Sequence, residues 1–250
     1  MLVAFGCIQA ASNALVMHRG SPSFGLAVYR ALDRIAPADY VEDVLGANAL
    51  ERGDADAAQH YAVRMQAGPR RDDLLAQIAL ARGQTVLAAE YFYVADDVPA
   101  IERIADGMTL HDIPGAIDLL QRFRAKLEAD GTHPDAVAQL CQETGKWQAA
   151  LGRDGDAMAS YERALALAPL NELYLLSAAN QSLVAHRYAD ARGYYERTLR
   201  LNAASADALA GMGVLALRAG RRDDALRYRD RALAIDPKAG MLRELERELR

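Results

Sequence analysis

Cysteine is nearly missing from this 250-residue chain: Cys7 and Cys141 stand far apart and form no C-x-x-C pair. That excludes a disulfide framework and a thiolate metal site, both of which need clustered sulfurs. Tryptophan and phenylalanine are also scarce, one and four, while alanine and leucine dominate, a bias that suits helices better than a β-sandwich. Lysine is almost replaced by arginine, three against 26, as in chains from GC-rich bacterial genomes. Positive charge is in deficit overall. The formal net charge is −5, which excludes a general nucleic-acid binder because such a protein needs a basic surface to release phosphate counterions. What is present is ordinary globular material, 52% hydrophobic and 25% charged, which excludes a disordered chain.

The charge is unevenly distributed. Residues 1–185 carry 15 basic and 24 acidic side chains, whereas residues 186–250 carry 14 and 10. Solvated helix faces account for this, and a steering or head-to-tail role is the alternative. Residues 1–17 hold no charge at all. A secretory signal would place its cations before the apolar stretch, yet the first cation is Arg19, so a buried first helix is the favoured reading. The run is short and polar for a membrane span, although membrane contact stays open. Location is left open: the cytoplasm is favoured, and the periplasm is the alternative in which residues 1–14 act as a signal.

A repeat governs the C-terminal half. Ala157, Ala191 and Ala225 are spaced by 34 residues, and Ala164, Thr198 and Ala232 follow each by seven, each with leucine behind it. Tyr161 and Tyr195 keep the same step, with Arg229 in the third copy and Tyr228 beside it. Counting copies from Ala138, Glu172 and Ala206, the eighth positions are Gly145, Ala179 and Gly213, small enough for two helices to approach closely. Pro169 and Pro237 close two copies.

These positions resemble the tetratricopeptide repeat, a helix-turn-helix unit of 34 residues. Cys141, Thr144 and Arg229 depart from its pattern at single positions without disturbing the period. The resemblance implies an all-α fold, a right-handed α-solenoid running through residues 1–250. Three clear repeats cover 138–237 and a capping helix covers 238–250. Two weaker repeats span 39–96, marked by Gly46, Gly53, Ala58, Ala76, Gly83 and Ala88. Divergent helical pairs account for 1–38 and 97–137, the latter with Ile101, Ile104 and Met108 on one face and Ala116, Ile117, Leu120 and Phe123 on the next. Thr132-His133-Pro134-Asp135, Asn171-Glu172 and Ser205-Ala206-Asp207 read as helix starts. Met241, Leu242, Leu245 and Leu249 give the final helix one apolar stripe.

Searches for catalytic patterns return little. Gly211-Met212-Gly213-Val214-Leu215-Ala216 spells a dinucleotide fingerprint, but it falls inside a repeat's first helix rather than between a strand and a helix. The five histidines, His18, His60, His111, His133 and His186, show no metal-ligand spacing. His111-Asp112 at a turn has no nucleophile motif beside it. The chain therefore reads as a noncatalytic scaffold, with no cofactor and no metal; the alternatives are an accessory domain of a membrane-associated assembly system and, as the lesser one, a helical-solenoid enzyme using His111 and Asp112.

A binding surface remains. In the repeat family, positions 2, 5, 9, 12 and 13 of each first helix line one face. Here they supply Gln142, Lys146, Leu173, Leu176, Asn180, Leu183, Val184, Val214 and Arg218 as candidate partner-binding residues. The middle copy is strongly apolar. The expected partner is another protein or a peptide segment, partly apolar, with no role for nucleic acid. Cover by the chain itself or by a second copy, as a homo-oligomer, is the alternative fate of those leucines.

Overall fold

The computed structural model describes residues 38–131 and 133–250, which form thirteen α-helices and, among the described residues, no strand. The expectations for the uncharged start, Cys7, His18, Arg19, the helical pair within 1–38 and Thr132 lie outside the described residues. Contacts divide the chain into two compact units, Met1–Ile104 and Ala105–Arg250.

The first unit holds α1 (Ala38–Glu51), α2 (Ala55–Arg64), α3 (Pro69–Ala81) and α4 (Thr85–Val94), and α5 (Val98–Met108) begins in it. α1 packs on α2, and α3 on α4, as two hairpins, and α3 also rests on α1 and α2. Each turn is a local consequence of sequence. Gly53 and Gly83 take left-handed conformations, with φ of 77° and 71°, that other residues adopt only under strain. Asp54 then accepts the Ala57 N–H at 2.9 Å and starts α2. Gly46 permits the crossing of α1 and α3: a Cβ there would lie 2.5 Å from Leu74 Cδ2. Leu74 is thereby buried with Ala49, Ala58, Met65 and Ile78.

The second unit continues with α6 (Ile113–Asp130), α7 (Pro134–Ala150), α8 (Asp154–Leu167) and α9 (Glu172–Val184), then α10 (Tyr188–Leu201), α11 (Ala206–Arg218), α12 (Arg222–Ile235) and α13 (Gly240–Leu249). Neighbours in sequence pack together, and first helices also touch across repeats, α7 on α9, α9 on α11 and α11 on α13. The period is visible in the helix starts: Glu172, Ala206 and Gly240 are each the first residue of a helix. α7 starts earlier than Ala138, at Pro134, because proline's missing N–H costs nothing in a first turn.

Two of the expected helix starts behave differently. Asn171 caps α9 by accepting the Tyr174 N–H at 3.3 Å. Ser205 occupies the same place before α11, but its side chain makes no capping bond. Asp207 does not serve its own helix either; it reaches across and accepts the Met241 N–H of α13 at 2.8 Å. The acid thus holds the next helix in place, which a pattern of consecutive residues does not reveal.

Small side chains set the separation of helices within each repeat. Ala157, Ala191 and Ala225, with Ala164, Thr198 and Ala232, are all 0% exposed, so no added methylene has solvent to enter. Rings fill the space beside them. A Cβ at Gly145 would come within 2.6 Å of a Tyr161 ring carbon, and one at Gly211 within 2.2 Å of Tyr195. In the third repeat Arg229 turns aside to bond Asp230. Leu245 of α13 takes up the vacated room, lying 2.5 Å from where a Cβ on Gly213 would sit. Leu242, Leu245 and Leu249 are all buried in that contact.

Replacing Ala191 with Leu should overpack the α9–α10 hairpin and cost roughly 1–3 kcal/mol; an unchanged urea midpoint would count against this packing. Removing residues 240–250 should uncover the α11 core around Val214 and, beside it, Leu226 and Leu233, and lower solubility. Light scattering of the truncated chain reads this directly: a monomeric, equally stable product would mean that α13 is dispensable.

Candidate functional site

Three first-position helices of the second unit, α9, α11 and α13, enclose a groove of about 700 Å³. α9 contributes Leu173, Leu176, Asn180, Leu183 and Val184, a spacing that a 3.6-residue turn brings to one side. α11 contributes Asp207, Val214 and Arg218, and α13 adds Met241, Glu244, Arg247 and Glu248. At the two ends of α9 the apolar floor is exposed, Leu173 by 58% and Val184 by 63%. Leu176 and Leu183 are half-buried, and Val214 is buried beneath the floor. Leu173 and Val184 are therefore left uncovered by the described residues.

Polar groups in the groove are mostly occupied. Arg218 pairs with Glu248 at 2.5 Å, and Arg247 with Glu244 at 2.5 Å. Asp207 has one carboxylate oxygen on the Met241 N–H. The Tyr195 hydroxyl donates to Asn180 Oδ1 at 2.6 Å, which fixes the carboxamide, and no described residue accepts from its amide N–H groups. Burial, reinforced by the Asp207 charge, pushes the Tyr195 hydroxyl well above its ordinary range, so it stays a donor throughout neutral pH.

Lys146 and Gln142 lie outside this groove. The Lys146 amine sits 2.7 Å from Glu143 and 3.7 Å from Asp106. Burial pulls its pKa down, but the hydrogen bond and charge of Glu143, then those of Asp106, outweigh burial and hold it above the usual value. Gln142 is buried and donates to Ser177 Oγ at 2.6 Å, tying α7 to α9. Of the three groups here that could grip a carboxylate, Arg218, Lys146 and Asn180, the two cations are ion-paired already, and Lys146 lies outside the groove.

His186 and Tyr188 close one end of the groove. His186 occupies the turn position taken by Gly152 and Gly220 in the adjacent repeats, and like them it is left-handed, with φ of 58° against 70° and 74°. A side chain in that region costs strain that glycine avoids. Its Nδ1 is 2.9 Å from the Tyr188 hydroxyl, with the rings edge to face at 5.8 Å. The middle repeat thus replaces a turn glycine with an aromatic pair beside the exposed Val184.

Sequence reasoning placed seven of its nine candidates at this groove: Leu173, Leu176, Asn180, Leu183, Val184, Val214 and Arg218. It missed the α13 wall, although one further 34-residue step from Ala206 reaches Gly240 and puts Met241, Glu244 and Glu248 at positions 2, 5 and 9. His186 was also accessible from the period, since it lies midway between Gly152 and Gly220. The other motifs find structural employment. Gly211 and Gly213 are inside α11 under Tyr195 and Leu245, and Asp112 caps α6 by accepting the Gly115 N–H at 2.9 Å.

Solved structures with this arrangement are known. The C-terminal part of a TPR repeat-containing protein from Cytophaga hutchinsonii superimposes with a TM-score of 0.60 at 17% identity, over 95% of this chain and 98% of that one. The chain has the tetratricopeptide-repeat fold. Pseudomonas aeruginosa PilF matches with a TM-score of 0.52 at 18% identity, covering 84% of this chain and 97% of PilF. PilW, described as a widely conserved type IV pilus biogenesis factor, gives 0.51 at 19% identity, over 84% and 99%. No protein-family model and no curated protein sequence matches the chain. The tetratricopeptide-repeat array explains why first helices, rather than loops, carry the groove: stacking puts one first helix beside the next.

Exchanging His186 for Gly should relieve left-handed strain at a smaller entropic cost and stabilise the protein by about 0.5–1 kcal/mol. Chemical denaturation measures it. A loss of stability would show that the bond to Tyr188 outweighs the strain.

Proposed function

We propose that the chain is a noncatalytic protein-interaction scaffold that holds a partly apolar segment of a partner protein in the α9–α11–α13 groove. The observation that carries this reading is the exposure of Leu173 and Val184 at the two ends of a continuous apolar floor. Exposed leucine and valine in a concave site, rimmed by polar groups, mark a binding surface more often than a solvated one. Asn180 supplies the orienting group: its carboxamide is fixed by Tyr195 and its N–H donors face a ligand backbone. A partner carboxylate is the weaker ligand here, because Arg218 is already neutralised by Glu248.

Resemblance to PilF and to a type IV pilus biogenesis factor supports a more particular reading, in which the chain serves as an accessory of a membrane-associated assembly system. No helix among the described residues is long and apolar enough to cross a membrane.

The test begins with a pull-down from the native host, followed by binding measurements on Leu173→Asp and Leu176→Asp. Loss of apolar burial and introduction of a poorly solvated charge should weaken the partner by about 1.5 kcal/mol or more, roughly tenfold. Lys146→Ala should bind as the parent does. Full affinity in both aspartate variants, with the fold retained, would place the interface elsewhere.

A further inference from the structure

A second concavity, of about 430 Å³, lies between the second helices α10 and α12. Its base is Met212 of α11. Met212 and Val214 are two residues apart, about 200° around a helix, so this cleft and the groove occupy opposite sides of α11. Four arginines stand in its walls, Arg192, Arg221, Arg227 and Arg231, against two acids, Glu196 and Asp224. Asp224 is shared, bonding Arg227 at 2.7 Å and Arg221 at 3.4 Å. Arg192 and Arg231 are exposed and have no acidic partner among the described residues, and the Arg231 guanidinium lies 6.0 Å from the Tyr228 ring centre.

This is the reverse of the groove, where both arginines are neutralised by glutamates. We propose that the α10–α12 cleft is a separate binding site for an acidic protein segment that carries an apolar side chain. Its carboxylates meet Arg192 and Arg231, whose planar guanidinium groups can each grip one in two parallel hydrogen bonds. Its apolar side chain rests on Met212 and Tyr228. Glu196 and Asp224 select the kind of anion. Placed among the arginines, they repel a uniformly negative surface, while a segment with discretely spaced carboxylates avoids them. The recessed base points the same way, because a flat bilayer would reach only the rim. The excess of basic over acidic residues in 186–250 thereby acquires a location and a use.

The full chain should be titrated at low salt with a fluorescein-labelled peptide of Glu, Asp and Leu, and with its Gln, Asn and Leu counterpart, reading anisotropy. The acidic probe should bind, weaken as salt rises, and lose roughly tenfold or more in affinity with Arg192→Ala and Arg231→Ala combined. Arg200→Ala, an exposed arginine outside the cleft, should leave it unchanged, as should Leu173→Asp in the groove. Thermal melts confirm that the arginine variants stay folded, which is expected because neither side chain makes an ion pair with a described residue. Equal binding of both peptides, no binding of the acidic one, or binding indifferent to the arginine pair would each overturn the proposal. So would sedimentation with phosphatidylglycerol vesicles that depends on the same two arginines while the peptide fails to bind.

Discussion

Where Tyr195 lies against α11, its ring leaves no room for a Cβ at position 211, and the approach of two repeats is fixed by that missing carbon. The contact does more than fill space. Because the ring is completely buried, its hydroxyl needs an acceptor, and Asn180 Oδ1 provides one at 2.6 Å. A core residue therefore sets the orientation of a groove residue. Any change that loosened Tyr195 would release the Asn180 amide as well, so packing and recognition are coupled through one hydrogen bond.

The end of the array follows from the same constraint. An aromatic at the position of Tyr161 and Tyr195 demands a small residue opposite; Arg229 makes no such demand, and a leucine can enter from α13. The final helix is held by three further ties, Asp207 to its first turn, Arg218 to Glu248, and Arg222 to the Leu249 carbonyl at 2.6 Å. Two of these tie points, Asp207 and Arg218, also line the groove. The cap is consequently part of the binding surface, and its charges decide which ligand charges the groove tolerates.

Much of this was legible in sequence because the repeat imposes identical packing at a fixed interval. Alanine at 157, 191 and 225 can be read as helix contact from spacing alone, and the structure buries all three completely. Groove positions on α9 followed for the same reason, since a helical face is a matter of arithmetic. What escaped was anything depending on a partner far away in the chain. Nothing around Lys146 announces that Asp106 will stand 3.7 Å away, and nothing around Asp207 announces Met241. Position 2, 5 or 9 states which way a side chain points, not whether another residue has already neutralised it. His186 escaped for a different cause: a local rule prefers glycine in a left-handed turn, and the chain sets that preference aside where the side chain closes the groove.

The arrangement of charge on α11 has a consequence for how two ligands would interact. Arg218 on the groove side is held by Glu248, whereas Arg192 and Arg231 on the opposite side, carried by α10 and α12, hold no acid among the described residues. An acidic segment entering the cleft would meet cations without first breaking an ion pair, and an apolar segment entering the groove would leave the Arg218–Glu248 pair intact. Neither event requires the other's charges to rearrange. Their energetic connection would run instead through the packing of Met212 and Val214 on one rigid helix, which has few small-amplitude alternatives when Gly211 and Gly213 are already in close contact with Tyr195 and Leu245. Two partners should thus bind with nearly independent affinities, and the helix between them would act as a spacer that fixes their relative position.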